Sequence, residues 1–113
     1  AFAGGDNLRV IENHWKRITH VHTKDVRMGV INALDRRRES FLDAVVKGAF
    51  TVPGDGSLDF EAIVKALAAK GYEGWFVVEA EQDPKVSPPL EMAMKGHKEL
   101  MRVMAAAGYE VVQ

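Results

Sequence analysis

Two short apolar runs, each ending abruptly in charged or imidazole side chains, constrain this chain more than anything else in it. The first is Arg17 to Lys24, where Ile18, Thr19, Val21 and Thr23 alternate with His20, His22 and Lys24. The second is Gly74 to Glu81, apolar through Trp75, Phe76, Val77 and Val78 until Glu79. Runs this short, rich in β-branched and aromatic residues, read as buried strands. Around them the spacing predicts helices. Asp6 caps one over Asn7 to Lys16, and a long one runs from about Met28 to Lys47 with Val30, Ile31, Leu34, Phe41 and Val45 on one stripe. Gly48 ends it. Asp59 caps a third helix, with Phe60, Ile63, Val64 and Leu67 on its face and Gly71 at its close. Pro88-Pro89 opens a last helix to about Ala107, with Leu90, Ala93, His97, Leu100 and Met104 as its inner stripe. Thr51 to Gly56 reads as a loop, and Asp83 to Pro89 as a turn-rich connection.

The order helix, strand, helix, helix, strand, helix implies parallel strands joined by crossover helices, an α/β fold. Two parallel strands cannot cover both of their faces. More strands are therefore expected, from a longer chain or from another copy. The start at Ala1 fits a cut in a longer chain as well as a native start with Met removed. Strand sharing would make a homo-oligomer the natural way to cover the sheet.

Composition removes several function classes. Lys and Arg number 15 against 16 Asp and Glu, for a net charge of −1. Nucleic-acid binding needs a concentrated basic face. The one basic cluster, Arg36-Arg37-Arg38, lies between Asp35 and Glu39 and reads as a solvated surface. With no cysteine there is neither a disulfide framework nor thiolate chemistry, which is compatible with a reducing, cytoplasmic setting. The best apolar run, Trp75 to Val78, is strand-sized, far from the ~18 residues that span a bilayer. No membrane partner is expected.

Strand alternation puts His20, His22 and Lys24 on one face, with Thr19, Val21, Thr23 and Asp25 on the other. Two imidazoles and an ammonium make a poor core and a good pocket wall. On the second strand Trp75, Val77, Glu79 and Glu81 share a face. Imidazole nitrogen with carboxylate oxygen is a donor set for a divalent transition metal. Spacing alone leaves the plainer readings open: a hydrogen-bonded structural His at a strand end, and Glu79 and Glu81 as surface residues past the strand. His14 reads as exposed and His97 as a packing residue.

Three segments taken together go further: His22-Thr23-Lys24-Asp25, then Val52-Pro53-Gly54-Asp55-Gly56-Ser57-Leu58-Asp59-Phe60, then Gly71-Tyr72-Glu73-Gly74-Trp75-Phe76-Val77-Val78-Glu79. They resemble the xylose-isomerase-like TIM-barrel superfamily, whose complete (β/α)8 domains hold ~250 residues. Within it, Val21 to Arg27, Gly48 to Gly56 and Val78 to Pro84 are similar to the inosose dehydratase family, and Phe2 to Asp6 fits the segment after that family's sixth strand. The resemblance implies that residues 1–113 are a C-terminal portion of a single barrel domain, about its last two strands with their helices. It implies His22 and Glu79 as metal ligands, with two further acidic ligands before Ala1. Lys24 and Glu81 become catalytic candidates, and His20, Asp25 and Arg27 substrate-binding ones, with the loop Pro53 to Gly56 closing over the sugar.

The activity implied is loss of water from 2-keto-myo-inositol, a cyclic polyol ketone of inositol catabolism, assisted by Mn2+ or Co2+ as a Lewis acid. Half a metal site should leave the isolated chain inactive. Two rivals are a sugar isomerase or epimerase on the same scaffold and a non-catalytic, self-associating α/β module.

Overall fold

In the computed structural model, which describes residues 1–112, the chain begins with α1 (Asn7–His14) and a 3-10 turn at Trp15–Arg17. Then come β1 (Val21–Thr23), β2 (Asp25–Val26), α2 (Met28–Ala33), α3 (Phe41–Val46) and β3 (Phe50–Thr51). The chain continues through α4 (Phe60–Ala69), β4 (Phe76–Val78) and α5 (Pro89–Ala106).

Both predicted strands form, each shorter than its apolar run, and they pair in parallel. Val21 lies opposite Phe76, His22 opposite Val77 and Thr23 opposite Val78. The missed elements are β2 and β3, which pair antiparallel with Asp25 opposite Thr51 and Val26 opposite Phe50. Thr51, the first residue of the expected loop, thus belongs to a second small sheet.

The predicted helix from Met28 to Lys47 is two helices. Leu34 is extended, with φ −71° and ψ 132°, which stops α2. Residues 35–39 turn, with the Glu39 carboxylate accepting from the Asp35 amide at 2.7 Å. Ser40 then starts α3 with a reciprocal capping box, its side chain bonded to the Asp43 amide and the Asp43 carboxylate to the Ser40 amide. Local capping outweighs an apolar stripe that would continue across the break. Phe41 is more than half exposed as a result. The remaining end signals hold. Asp6 and Asp59 accept from the Arg9 and Ala62 amides, Pro89 occupies the first turn of α5, and Gly48 and Gly71 end α3 and α4 at φ of 79° and 72°.

Three apolar clusters hold the elements in place. Val26, Ile31, Ala44, Ala49 and Phe50 pack α2 and α3 onto the β2–β3 pair. Phe60 and Val64 of α4 meet Leu100, Val103 and Met104 of α5, with Phe76 and Val78 beneath. Ile11, Leu67 and Tyr72 tie α1 to α4 and to Val21 and Phe76. Each such large side chain contributes roughly 1.5–3 kcal/mol by leaving water. The buried stripe of α5 is Gly96, Leu100, Val103 and Met104. Leu90, Ala93 and His97, expected inside, are exposed. Gly96 lets the helix lie so close to the sheet that Val52 and Val78 occupy the space a side chain would need.

Candidate functional site

The parallel register decides what meets at the strand ends. With Thr23 opposite Val78, the next residues, Lys24 and Glu79, come level at the C-terminal end of the sheet. Partners across a parallel pair share a face, so His22, Lys24 and Glu79 point the same way. Thr23 points the other way, is buried, and donates to the Val77 carbonyl at 2.9 Å.

A row of alternating charge results. The His22 Nδ1 atom touches Glu79 Oε2. Lys24 Nζ lies 2.9 Å from Glu79 Oε1 and 2.6 Å from Glu81 Oε2, the latter oxygen being buried. Hydrogen bonds from Lys24 and His22 hold the Glu79 carboxyl below its ordinary pKa. For Lys24, desolvation alone would favour the neutral amine, but its bonds to Glu81 and Glu79 and their charges win, and its pKa is raised. Lys24 is therefore a cation at neutral pH, able to donate to an oxygen and unable to serve as a base. Its ammonium also sits 5.8 Å from the centre of the Phe50 ring. The exposed His20 ring lies beside that of His22, centroids 5.1 Å apart.

His22 Nδ1 and Glu79 Oε2 are in direct contact, and imidazole nitrogen with carboxylate oxygen is a donor set that suits a divalent transition metal. Among the described residues no group of three His, Cys, Asp or Glu side chains converges to enclose an ion. The chain thus presents two fitting donors.

Asp25 was expected to contact substrate; its geometry assigns it another part. The carboxylate is fully buried, and its Oδ1 accepts from the Val26 and Leu58 amides at 2.7 and 2.9 Å. Oδ2 accepts from Gly56 at 3.1 Å. It holds the loop after β3. Arg27, beside that loop, is one-third exposed. It donates to the Gly48 carbonyl at 2.8 Å, to Thr51 Oγ1 at 3.2 Å and to Asp55 Oδ2 at 2.5 Å. Asp55, Thr51 and Gln82 are the polar residues sequence reasoning passed over. The only signal was Asp55 between two glycines, which is also an ordinary turn pattern.

A cavity of about 950 Å³ lies elsewhere, at the start of β4 between Tyr72, Trp75, Phe76, His97, Met104 and Tyr109. No residue of the charged row lines it. No helix among the described residues is long and apolar enough to cross a membrane.

Strand-end chemistry on a parallel α/β scaffold is the arrangement of a barrel enzyme wall, and the model of the xylose isomerase-like TIM barrel family matches residues 1–110, so the chain belongs to that family. More particularly, it is 53% identical over 111 residues to the rhizopine catabolism protein MocC of Rhizobium meliloti, covering 98% of this chain and 34% of that protein. It is 55% identical over 97 residues to an inosose dehydratase of Geobacillus thermodenitrificans, covering 86% of this chain and 33% of the relative. An inosose dehydratase of Yersinia enterocolitica is 52% identical over 91 residues, covering 80% and 30%. The chain spans about a third of the length of these curated relatives.

Proposed function

We propose that this chain forms the His22/Glu79 side of the active site of a metal-dependent inosose dehydratase, which removes water from 2-keto-myo-inositol. The observation that carries the reading is the row His22, Glu79, Lys24 and Glu81 at the C-terminal strand ends, supported by the similarity to curated inosose dehydratases. The chain contributes two barrel strands, and the remaining strands and ligands are supplied outside these residues; alone it turns over no substrate.

The reaction needs a proton removed from the carbon next to the ketone, hydroxide expelled from the β-carbon as water, and tautomerisation of the resulting enol. A divalent cation held by His22 and Glu79, Mn2+ or Co2+, supplies Lewis acidity toward the ketone oxygen. Lys24, kept cationic, donates to an oxygen on which negative charge develops. Glu81, bonded to Lys24, carries a proton to or from the ring. His20 and Arg27 bind ring hydroxyls from either side, and the Pro53 to Gly56 loop, anchored by Asp25, forms the rim.

The test is dehydration of 2-keto-myo-inositol by the complete protein with Mn2+, and by its His22→Ala/Glu79→Ala variant. Metal-dependent turnover lost in the variant is expected. Turnover that survives the double replacement refutes the ligand assignment, and isomerisation of sugars without loss of water moves the protein to the isomerase branch of its family.

A further inference from the structure

Arg27 is held with unusual completeness for a half-open side chain, and the residues holding it have no part in the chemistry above. Thr51 is fully buried. Its hydroxyl donates to Asp55 Oδ2 at 2.6 Å and accepts from Arg27 Nη2 at 3.2 Å and from Gln82 Nε2 at 3.3 Å. A hydroxyl has one donor and two acceptor positions, so every one is in use. Asp55 also accepts from Arg27 Nη2 at 2.5 Å and from the Lys95 ammonium of α5. With Nη1 on the Gly48 carbonyl at 2.8 Å, three of the five guanidinium N–H groups are committed. The Nε–H and one Nη1–H remain for an incoming oxygen.

We propose that Thr51 and Asp55 are positioning residues that fix Arg27 for a substrate hydroxyl, and that the Gln82 amide ties this anchor to the strand end carrying Glu79 and Glu81. The proposal rests on the reading of Arg27 as a substrate contact. A free arginine side chain loses about 2 kcal/mol of rotamer freedom when it is ordered. Here that ordering is complete before substrate arrives, which lowers the cost of binding. Gln82 directly follows Glu81 in the chain, so a shift of the loop after β3 reaches the charged row through one amide.

The experiment compares Thr51→Val, nearly the same shape without the hydroxyl, with Thr51→Ser and Asp55→Asn in the complete, metal-loaded protein. Thr51→Val and Asp55→Asn should raise KM for 2-keto-myo-inositol about tenfold and change kcat less than about threefold, the pattern of lost uniform binding. Thr51→Ser should keep KM within about twofold, and the affinity for Mn2+ should not move. In an Arg27→Ala background, Thr51→Val should add less than about twofold, because residues acting through one partner are not additive. An undiminished effect in that background, or an unchanged KM with only a lowered Tm, overturns the proposal. If Thr51→Val does not fold, Asp55→Asn completes the same cycle. Should the complete protein be inert toward the ketone, the proposed function fails. The positioning is then judged by the Arg27 guanidinium proton resonance, expected to broaden in Asp55→Asn; a resonance as sharp as in the parent overturns it.

Discussion

Replacing Asp25 should damage the protein more than replacing any of the charged residues around it. Its carboxylate is fully buried and accepts three backbone N–H bonds, from Val26 at 2.7 Å, Leu58 at 2.9 Å and Gly56 at 3.1 Å. The loop comes so near that a Cβ on Gly56 would lie 2.5 Å from Asp25 Cγ and 2.6 Å from the Val26 carbonyl oxygen. Asp25→Ala orphans all three donors. Bonds to a charged group contribute about 1.5–3 kcal/mol each, and an unsatisfied buried amide costs about 1–3 kcal/mol. The Gly56 amide can recover water once the loop loosens, so the net loss is about 4 kcal/mol. Asp25→Asn keeps both bonds to Oδ1 and turns an NH2 toward the Gly56 amide, costing about 2 kcal/mol. Against a total of about 5–15 kcal/mol for a folded domain, the first change removes about a quarter to four-fifths of the stability and the second about half as much. Urea unfolding of the complete protein reads both values. An Asp25→Ala variant within about 1 kcal/mol of the parent would refute the view that this carboxylate holds the loop.

Gly96→Ala sets two effects against each other. Helix propensity favours Ala by about 1 kcal/mol, but the new Cβ would sit 2.7 Å from Val52 Cβ and 2.8 Å from Val78 Cγ1. Overpacking costs about 1–3 kcal/mol, so Tm should fall; a rise would show that α5 can back away freely. Acid stability should carry the signature of Asp55. Burial alone would raise its pKa, but bonds from Lys95, Thr51 and Arg27 outweigh that and lower it to about 2 from 3.8. A depressed pKa contributes stability above the ordinary carboxylate value and loses it as pH falls through the folded one. The stability gap between the parent and Asp55→Asn should be about 2 kcal/mol above pH 5 and shrink from pH 4 to pH 2. A gap that is flat over that interval rules out the ion pairs as its source.

The end signals were legible in the sequence because they are local. Asp6, Asp59, Gly48, Gly71 and Pro89 act within a turn of their own position, and each does what its chemistry predicts. Strand alternation was legible too, since a period of two fixes the face of His22, Lys24, Glu79 and Glu81 once a strand exists. The break between α2 and α3 was written in Ser40 and Asp43, but a stripe through Val30, Leu34 and Phe41 masked it. The β2–β3 pair was invisible: two residues a side carry no period, and their pairing depends on the turn of residues 34–49 in space. The same holds for Thr51 and Asp55, whose partners Arg27, Gln82 and Lys95 come from three other parts of the chain. The inward face of α5 was legible at Leu100 and Met104 but misjudged at Leu90, Ala93 and His97, because Gly96, with no side chain, counts for nothing in an apolar pattern and yet marks the closest approach.

The two sheets also differ in when they can form. Asp25 and Thr51 are about half as far apart along the chain as Val21 and Phe76, and each doubling of a closed loop costs only about 0.6 kcal/mol. The larger difference is in the order of events. The β2–β3 pair brings its own apolar cluster from residues 26–50, whereas the parallel pair needs α4 delivered first. The bonds of Arg27 to Gly48, Thr51 and Asp55 would therefore form early on the folding route, whereas the Gln82 and Lys95 bonds to them and the contact between His22 and Glu79 would come among the last steps. A chain arrested midway would own a finished rim around an unfinished centre.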